Sequence, residues 1–304
     1  MATTFVNLAT GKGGDSYSAK AYYNYEIFKT LFGGSPSDWA SKLAASNKQG
    51  LNWKRSQYIS KKFGLTEDYV AGINLADECI NYQSGANLLQ HLQNYGCTSV
   101  AVDHIIGQTL DLFTVELCIV RDGDAIYVTM PPYLCLLGMG KYLAMCTNHL
   151  FDTVSFAGVP ISHIRRTLLD LTSLGDAIHY LKGIKPTTSV NFIISDGKES
   201  VDIEVSQKGI EIIYPHTNGQ NRLLAHTNHV LSTPFYKDTG CLRLQTAGQS
   251  LFDGNGIESS LTKTGVVQPI AAQFGTIITV WLDPKERILA YKDTDQTNFT
   301  AIRI

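Results

Sequence analysis

A thiol and a carboxylate stand fourteen residues apart in this chain, Cys97 in Gly96-Cys97-Thr98-Ser99 and Asp111 in Gly107-Gln108-Thr109-Leu110-Asp111. A small residue, a cysteine and two hydroxyl residues opening an alternating apolar run read as a turn that delivers the thiol onto the start of a strand. A hairpin then carries the carboxylate beside it, an arrangement that nucleophilic catalysis can use. His104, between the two, offers a second route: a Cys97/His104/Asp111 triad that cleaves amides or esters in an intact chain. Taken alone, a single cysteine reads first as a buried small hydrophobe, and Asp111 as a turn or strand-edge aspartate. His226 and His229 lie three apart, but two histidines without a carboxylate at short spacing do not make a metal site, and no metal is expected.

Three segments carry a resemblance that extends well beyond the cysteine. They are Gly96-Cys97-Thr98-Ser99 with Gly107-Gln108-Thr109-Leu110-Asp111, then Ala144-Met145-Cys146-Thr147-Asn148-His149, then His226-Thr227-Asn228-His229. In order and spacing the chain resembles the acyl-coenzyme A:isopenicillin N acyltransferase family, a branch of the N-terminal-nucleophile hydrolases distantly similar to choloylglycine hydrolases. The resemblance implies an α+β fold, a four-layer αββα sandwich with a helical N-terminal segment. It also implies that the Gly96-Cys97 bond is cut by the chain itself, leaving a light chain, 1–96, and a heavy chain, 97–304. Cys97 is then a chain terminus whose own α-amine, with a reference pKa of about 7.7–8.0, serves as general base for the thiol. In this family pattern Asp111 positions the new α-ammonium and Asn228 supplies an oxyanion-hole amide. Asn148, Thr98 and Gln268 are further candidates for substrate or oxyanion contacts. No cofactor is implied, although acyl-coenzyme A is compatible as an acyl donor.

The elements needed to hold these residues can be read from periodicity. After a short strand at Phe5 to Leu8, residues 18–32, 38–46, 53–63 and 66–94 read as helices, with Ser37 or Asp38 capping the second and Thr66 the fourth. The aromatics Tyr22, Tyr23, Tyr25 and Phe28 suit core packing along a helix. From Cys97 the period changes to two, with strands at 98–103, 106–112, 115–121 and 124–130, the last pair joined at Asp122-Gly123. Helices near 160–172 and 174–183 precede strands at 190–195, 200–205, 209–214 and 222–226, and strands at 275–282, 286–292 and 298–303 finish the chain. Gly11-Lys12-Gly13-Gly14 lacks the spacing of a phosphate loop and reads as a turn.

Composition excludes several classes of function. A formal charge of −2 with 17% charged residues provides no basic field for a phosphate backbone, so nucleic acid is not an expected partner. No apolar run reaches the roughly 18 residues of a membrane span, and Met1 to Gly14 has neither the charged nor the apolar region of a secretion signal. A cytoplasmic protein is expected, acting on a small acyl or amine substrate, with a homo-oligomer compatible. The six cysteines are scattered, without a pair spaced for zinc.

Three departures from the family pattern bear on substrate, one of them an altered Gly-rich substrate motif near the N-terminus. Val266-Val267-Gln268-Pro269 stands where the family carries a carboxylate-binding arginine, and Gly138-Met139-Gly140 replaces a Gly-x-Asn turn. The leading reading is an autoprocessed cysteine amidohydrolase or acyltransferase working through a thioester at Cys97. The alternatives are an unprocessed thiol hydrolase using His104 and a non-catalytic binder of a small acyl-amine ligand.

Overall fold

The computed structural model describes residues 2–32, 34–43, 48–83, 96–231, 240–271 and 274–304. Eight strands form the first sheet in the order β1 (Thr4–Asn7), β4 (Cys118–Asp122), β5 (Ala125–Thr129), β6 (Leu137–Met139), β7 (Ala144–His149), β8 (Val190–Ser195), β9 (Ser200–Ser206) and β10 (Gly209–Ile213). Seven form the second, in the order β11 (His216–Asn218), β12 (Asn221–His226), β2 (Thr98–Val102), β3 (Ile105–Phe113), β13 (Phe274–Asp283), β14 (Ile288–Asp293) and β15 (Thr300–Arg303). Neighbouring strands run antiparallel except at one edge, where β1 lies parallel to β4 with Thr4 opposite Cys118.

The sheets are stacked, and buried side chains tie them face to face. Gln108 of β3 accepts from the Thr147 amide of β7 at 2.9 Å. His226 of β12 meets Glu204 of β9 at 2.9 Å, while the Ser195 and Ser200 hydroxyls donate to the His104 and Asp103 carbonyls at 2.6 and 2.7 Å. Because both faces of the first sheet are covered, β5, β7 and β8 are buried almost throughout. Such strands carry continuous apolar runs in place of alternation.

Helices cover both outer sides, which completes the four-layer α+β architecture expected from the sequence. On the first sheet lie α1 (Gly14–Phe32), α2 (Pro36–Ala40), α3 (Gly50–Phe63), α4 (Glu67–Ile73), α5 (Ala76–Gln83), α6 (Ile161–Leu168) and α7 (Leu174–Gly183). On the second lie α8 (Leu242–Phe252) and α9 (Ile257–Leu261). The latter sits so close to β3 that a Cβ on Gly107 would stand 2.7 Å from Leu261 Cδ1. Thr66 caps α4 by accepting from the Tyr69 amide at 3.3 Å, as its position predicts.

Several boundaries differ from the sequence reading. Ser35, not Ser37 or Asp38, caps α2, and Asp38 completes a capping box from the third helical position. The helix read over 66–94 breaks at Asn74-Leu75 into α4 and α5, and residues 84–94 lie outside the described residues. Asn74 makes the break: its side chain donates to the Val70 carbonyl at 2.8 Å and accepts from the Leu134 amide at 2.8 Å, both buried. Tyr22 and Tyr23 are exposed, and the buried face of α1 is instead Tyr17, Ala21, Asn24, Phe28 and Phe32. Among the described residues no helix is long and apolar enough to cross a membrane.

The N-terminal segment is wired into the rest by buried polar contacts. Asn24 donates to the Glu116 and Pro131 carbonyls at 3.1 and 2.9 Å and accepts from the Glu116 amide at 2.9 Å. Asp77 of α5 receives both terminal nitrogens of Arg165 of α6, at 2.8 and 3.0 Å. Burial works against the charged carboxylate, yet Arg165, with His149 and Tyr133, holds Asp77 well below the usual carboxylate range.

Candidate active site

Strand register brings the site together. Thr98 pairs with Thr109 and His226 pairs with Ser99, so extending each ladder by two residues sets Gly96 beside Asp111 and Asn228 beside Cys97. The contacts agree. Cys97 Sγ lies 3.8 Å from the Asp111 carbonyl, and a Cβ on residue 96 would stand 2.1 Å from Asn228 Oδ1, so any larger residue there would displace the Asn228 side chain. Gly96, Cys97, Asp111 and Asn228 line one cavity of about 80 Å³, together with Asp77, Thr147, His149, Arg165 and a set of apolar side chains.

Each polar group has a defined setting. A bulge in β13 between Thr276 and Ile278 turns Thr276 onto Asp111, and its hydroxyl donates to Oδ1 at 2.6 Å. Asp111 Oδ2 has no hydrogen-bond partner among the described residues. Burial pushes the Asp111 carboxyl up to about 7, against the Thr276 hydrogen bond and the charge of Arg243. Burial, reinforced by Asp111, raises the Cys97 thiol to about 11. Asn228 Nδ2 donates to the His149 carbonyl at 2.8 Å, which leaves its second N–H for another acceptor.

The raised Asp111 pKa has a measurable sign. With an unfolded value of about 3.9 and a folded value of about 7, the folded chain binds more protons between those limits. The Asp111 contribution to stability is therefore complete below about pH 4 and lost as pH rises through about 7. In an uncut Cys97→Ala background, Asp111→Asn is expected to lose less thermal stability between pH 4.5 and pH 7.5 than the background itself; parallel melting curves would refute this.

The site contains a residue that the sequence reading passed over. Arg243, on α8 and only 2% exposed, donates from Nη1 to the Gly96 carbonyl, to the Cys97 carbonyl at 2.9 Å and to Thr98 Oγ1 at 3.3 Å. Its Nε and Nη2 have no partner among the described residues. The available signal was a cation on the buried stripe of a helix, Arg243 with Leu244, Ala247 and Leu251. A buried cation thus enters the site from α8.

Other candidates are placed apart from the cavity. Asn148 faces the space between the sheets, fully buried, with neither side-chain polar atom partnered among the described residues. Thr98 turns to Arg243, and the Gln268 main chain donates to the Thr276 hydroxyl at 2.8 Å and accepts from the Thr276 amide at 2.9 Å, while its side-chain amide donates to the Gly265 carbonyl. His226 bonds Glu204, and His229 meets the Thr227 hydroxyl at 3.2 Å. Cys241 caps α8; burial raises its pKa, yet His229 and Arg243 bring the thiol down to about 6. Among the described residues no group of three His, Cys, Asp or Glu is placed to hold a metal.

The Cys97/His104/Asp111 triad is not assembled. His104 belongs to the turn between β2 and β3, at the opposite end of a five-residue strand from Cys97, a separation of about 16 Å or more. Its Nε2 faces Asp283 Oδ1 at 3.6 Å. The hairpin that brings Asp111 back to Cys97 is what carries His104 away. His104→Ala is expected to keep activity within about threefold of the parent, whereas a triad base would require a loss of at least about a hundredfold.

A buried thiol, a carboxylate and an amide thus converge on the Gly96-Cys97 peptide within an αββα sandwich. The family resemblance read from the sequence is borne out by one comparison: residues 141–247 match the family model described as acyl-coenzyme A:6-aminopenicillanic acid acyl-transferase. That span contains Asn148, Asn228 and Arg243. Solved structures similar to this chain include a mutant conjugated bile acid hydrolase from Clostridium perfringens, 14% identical, covering 68% of this chain and 92% of its own, with a TM-score of 0.46. Another is penicillin V acylase from Agrobacterium tumefaciens, 12% identical over 68% of this chain and 86% of its own, with a TM-score of 0.43. A search of curated proteins finds no match.

Proposed function

We propose that this protein is a self-cleaving cysteine acyltransferase or amidohydrolase that acts on a small N-acyl or amide substrate through a thioester at Cys97. The observation that carries the reading is the setting of the Gly96-Cys97 peptide. Its carbonyl accepts from the Arg243 guanidinium, its glycine lies against the Asn228 amide, and its thiol opens on the cavity shared with Asp111.

In the first step the Cys97 thiol attacks the Gly96 carbonyl carbon. The C–S bond forms, the C–N bond breaks, and the thiol proton passes to the departing nitrogen, which becomes the α-amine of residue 97. Arg243 stabilises the oxygen on which charge develops. Of the two carboxyl groups lining the cavity, Asp77 is held by Arg165, which leaves Asp111, titrating at about 7, to handle the proton. Water then hydrolyses the thioester, giving a light chain ending at Gly96 and a heavy chain beginning at Cys97.

Turnover repeats the chemistry on substrate. The α-amine takes the thiol proton, sulfur attacks the acyl carbon, and the departing amine leaves with that proton. Water or a second amine then displaces the acyl group from sulfur. The family description supports acyl-coenzyme A as an alternative donor, with its thiol as the leaving group. Once positive, the α-amine has Asp111 beside it as counter-charge.

Asn228 contributes through its uncommitted N–H. Asn228→Ala is expected to lower kcat about a hundredfold with little change in KM, because the donor meets full negative charge only in the tetrahedral intermediate. A parental kcat in folded, cut enzyme would remove Asn228 from the site. The experiment that tests the whole reading is intact mass under denaturing conditions: two fragments split between Gly96 and Cys97 are expected, and a single chain that is nonetheless fully active would overturn it.

A further inference from the structure

The cavity at Cys97 does not end at the nucleophile. A second cavity, of about 70 Å³, adjoins it across Asp77, Ile80, Leu112, Phe113 and Leu136, which line both, and lies beneath α1 against Ile27, Phe28 and Leu31. The polar groups on its wall are already engaged. Asn24 has its amide on Glu116 and Pro131, Tyr133 donates to Asp77, and both Asp77 oxygens receive Arg165. Among the described residues a guest in this chamber is therefore offered apolar contact and no unspent hydrogen bond, so a polar one would lose its hydration without replacement.

We propose that the acyl group carried by Cys97 is an unbranched aliphatic chain, and that this second chamber receives its far end. The proposal rests on the thioester chemistry assigned to Cys97 and specifies what that chemistry transfers. With the carbonyl carbon on Sγ, the acyl chain runs past Leu112 and Leu136 into the space beneath α1. A linear chain can pass a shared wall of this kind and gain contact in both chambers, whereas a rigid ring is confined to the first. Asp77, which lines both cavities, and Arg165, which lines the first, neutralise each other.

The test is a series of linear N-acyl amides from acetyl to decanoyl, with the phenylacetyl amide for comparison, assayed on the full, self-cut protein. Each methylene that enters an apolar site is worth about fourfold in kcat/KM, so a steep rise with chain length is expected, with decanoyl well above phenylacetyl. Ile27→Trp, which fills the far chamber, should lower the decanoyl-to-acetyl ratio at least about tenfold; Ile27→Ala, which widens it, should move the optimum to a longer chain. Turnover that is flat or falling with length, or fastest for phenylacetyl, would overturn the passage while leaving Cys97 as the nucleophile. No turnover of any acyl amide or acyl thioester by the cut protein would overturn the Cys97 reading itself.

Discussion

Cys97→Ala should be recovered as one chain of full length with no measurable turnover, under conditions in which the parent protein gives two fragments and activity. In the proposed mechanism one sulfur performs both tasks, attacking the Gly96 carbonyl during maturation and the substrate carbonyl afterwards, and alanine can do neither. The substitution removes a small, mostly buried side chain, so the fold should tolerate it. Cys97→Ser separates the two roles, since a hydroxyl is a much weaker nucleophile than a thiolate but retains the geometry; slow, incomplete cutting is expected. The Cys241 thiol, brought down to about 6 by His229 and Arg243, is the natural rival because its sulfur is the more acidic. Fragments or turnover from Cys97→Ala would shift the assignment there. Mass spectrometry of the denatured variant, with a parallel assay, decides between them.

Arg243→Met is expected to slow self-cleavage about a thousandfold. Nη1 donates to the Gly96 carbonyl oxygen, the atom that becomes negative when sulfur adds, and removing one such donor from a water-poor site costs about 10²–10³ in rate. Here the donor is also a full charge, which places the effect at the upper end. A structural role alone would reduce stability without affecting the rate at which folded precursor is cut, so a time course on folded material separates the two. Arg243→Lys should recover only part of the rate, because the contacts to Gly96, Cys97 and Thr98 all come from Nη1 at the tip of the guanidinium, a position that the shorter, non-planar lysine side chain reaches less well. Cutting at the parental rate in Arg243→Met would exclude the guanidinium from the step.

The parts of the site that lie on one hairpin were legible in the sequence, and those that depend on long-range packing were not. Alternation from Thr98 and a glycine-bounded return predicted β2 and β3, and with them the meeting of Cys97 and Asp111. The same hairpin was misread for His104: proximity along the chain suggested a partner, whereas an antiparallel turn separates residues that are near in sequence. Ala144–His149 was noticed for its residues but not as a strand, because burial on both faces removes the period of two on which recognition depends. Arg243 was missed for a related reason. In Leu242–Phe252 polar residues interrupt the apolar stripe, and what brings the arginine to the candidate site is its contact with a carbonyl 147 residues earlier. Thr276 reaches Asp111 only through a bulge, a feature that residue types alone do not announce.

The parallel pairing of β1 with β4 also bears on what the mature protein is. If the chain is cut after Gly96, the strand that closes the edge of the first sheet belongs to the smaller piece. Alone, the larger piece would expose the backbone of Cys118–Asp122, a bare edge flanked by apolar residues and open to any passing strand. In a cut protein the smaller piece would then serve as an intramolecular chaperone that never leaves, and loss of it would lead to aggregation in place of a free larger piece. Producing the two pieces from separate genes should accordingly yield soluble heavy chain only when both are made together.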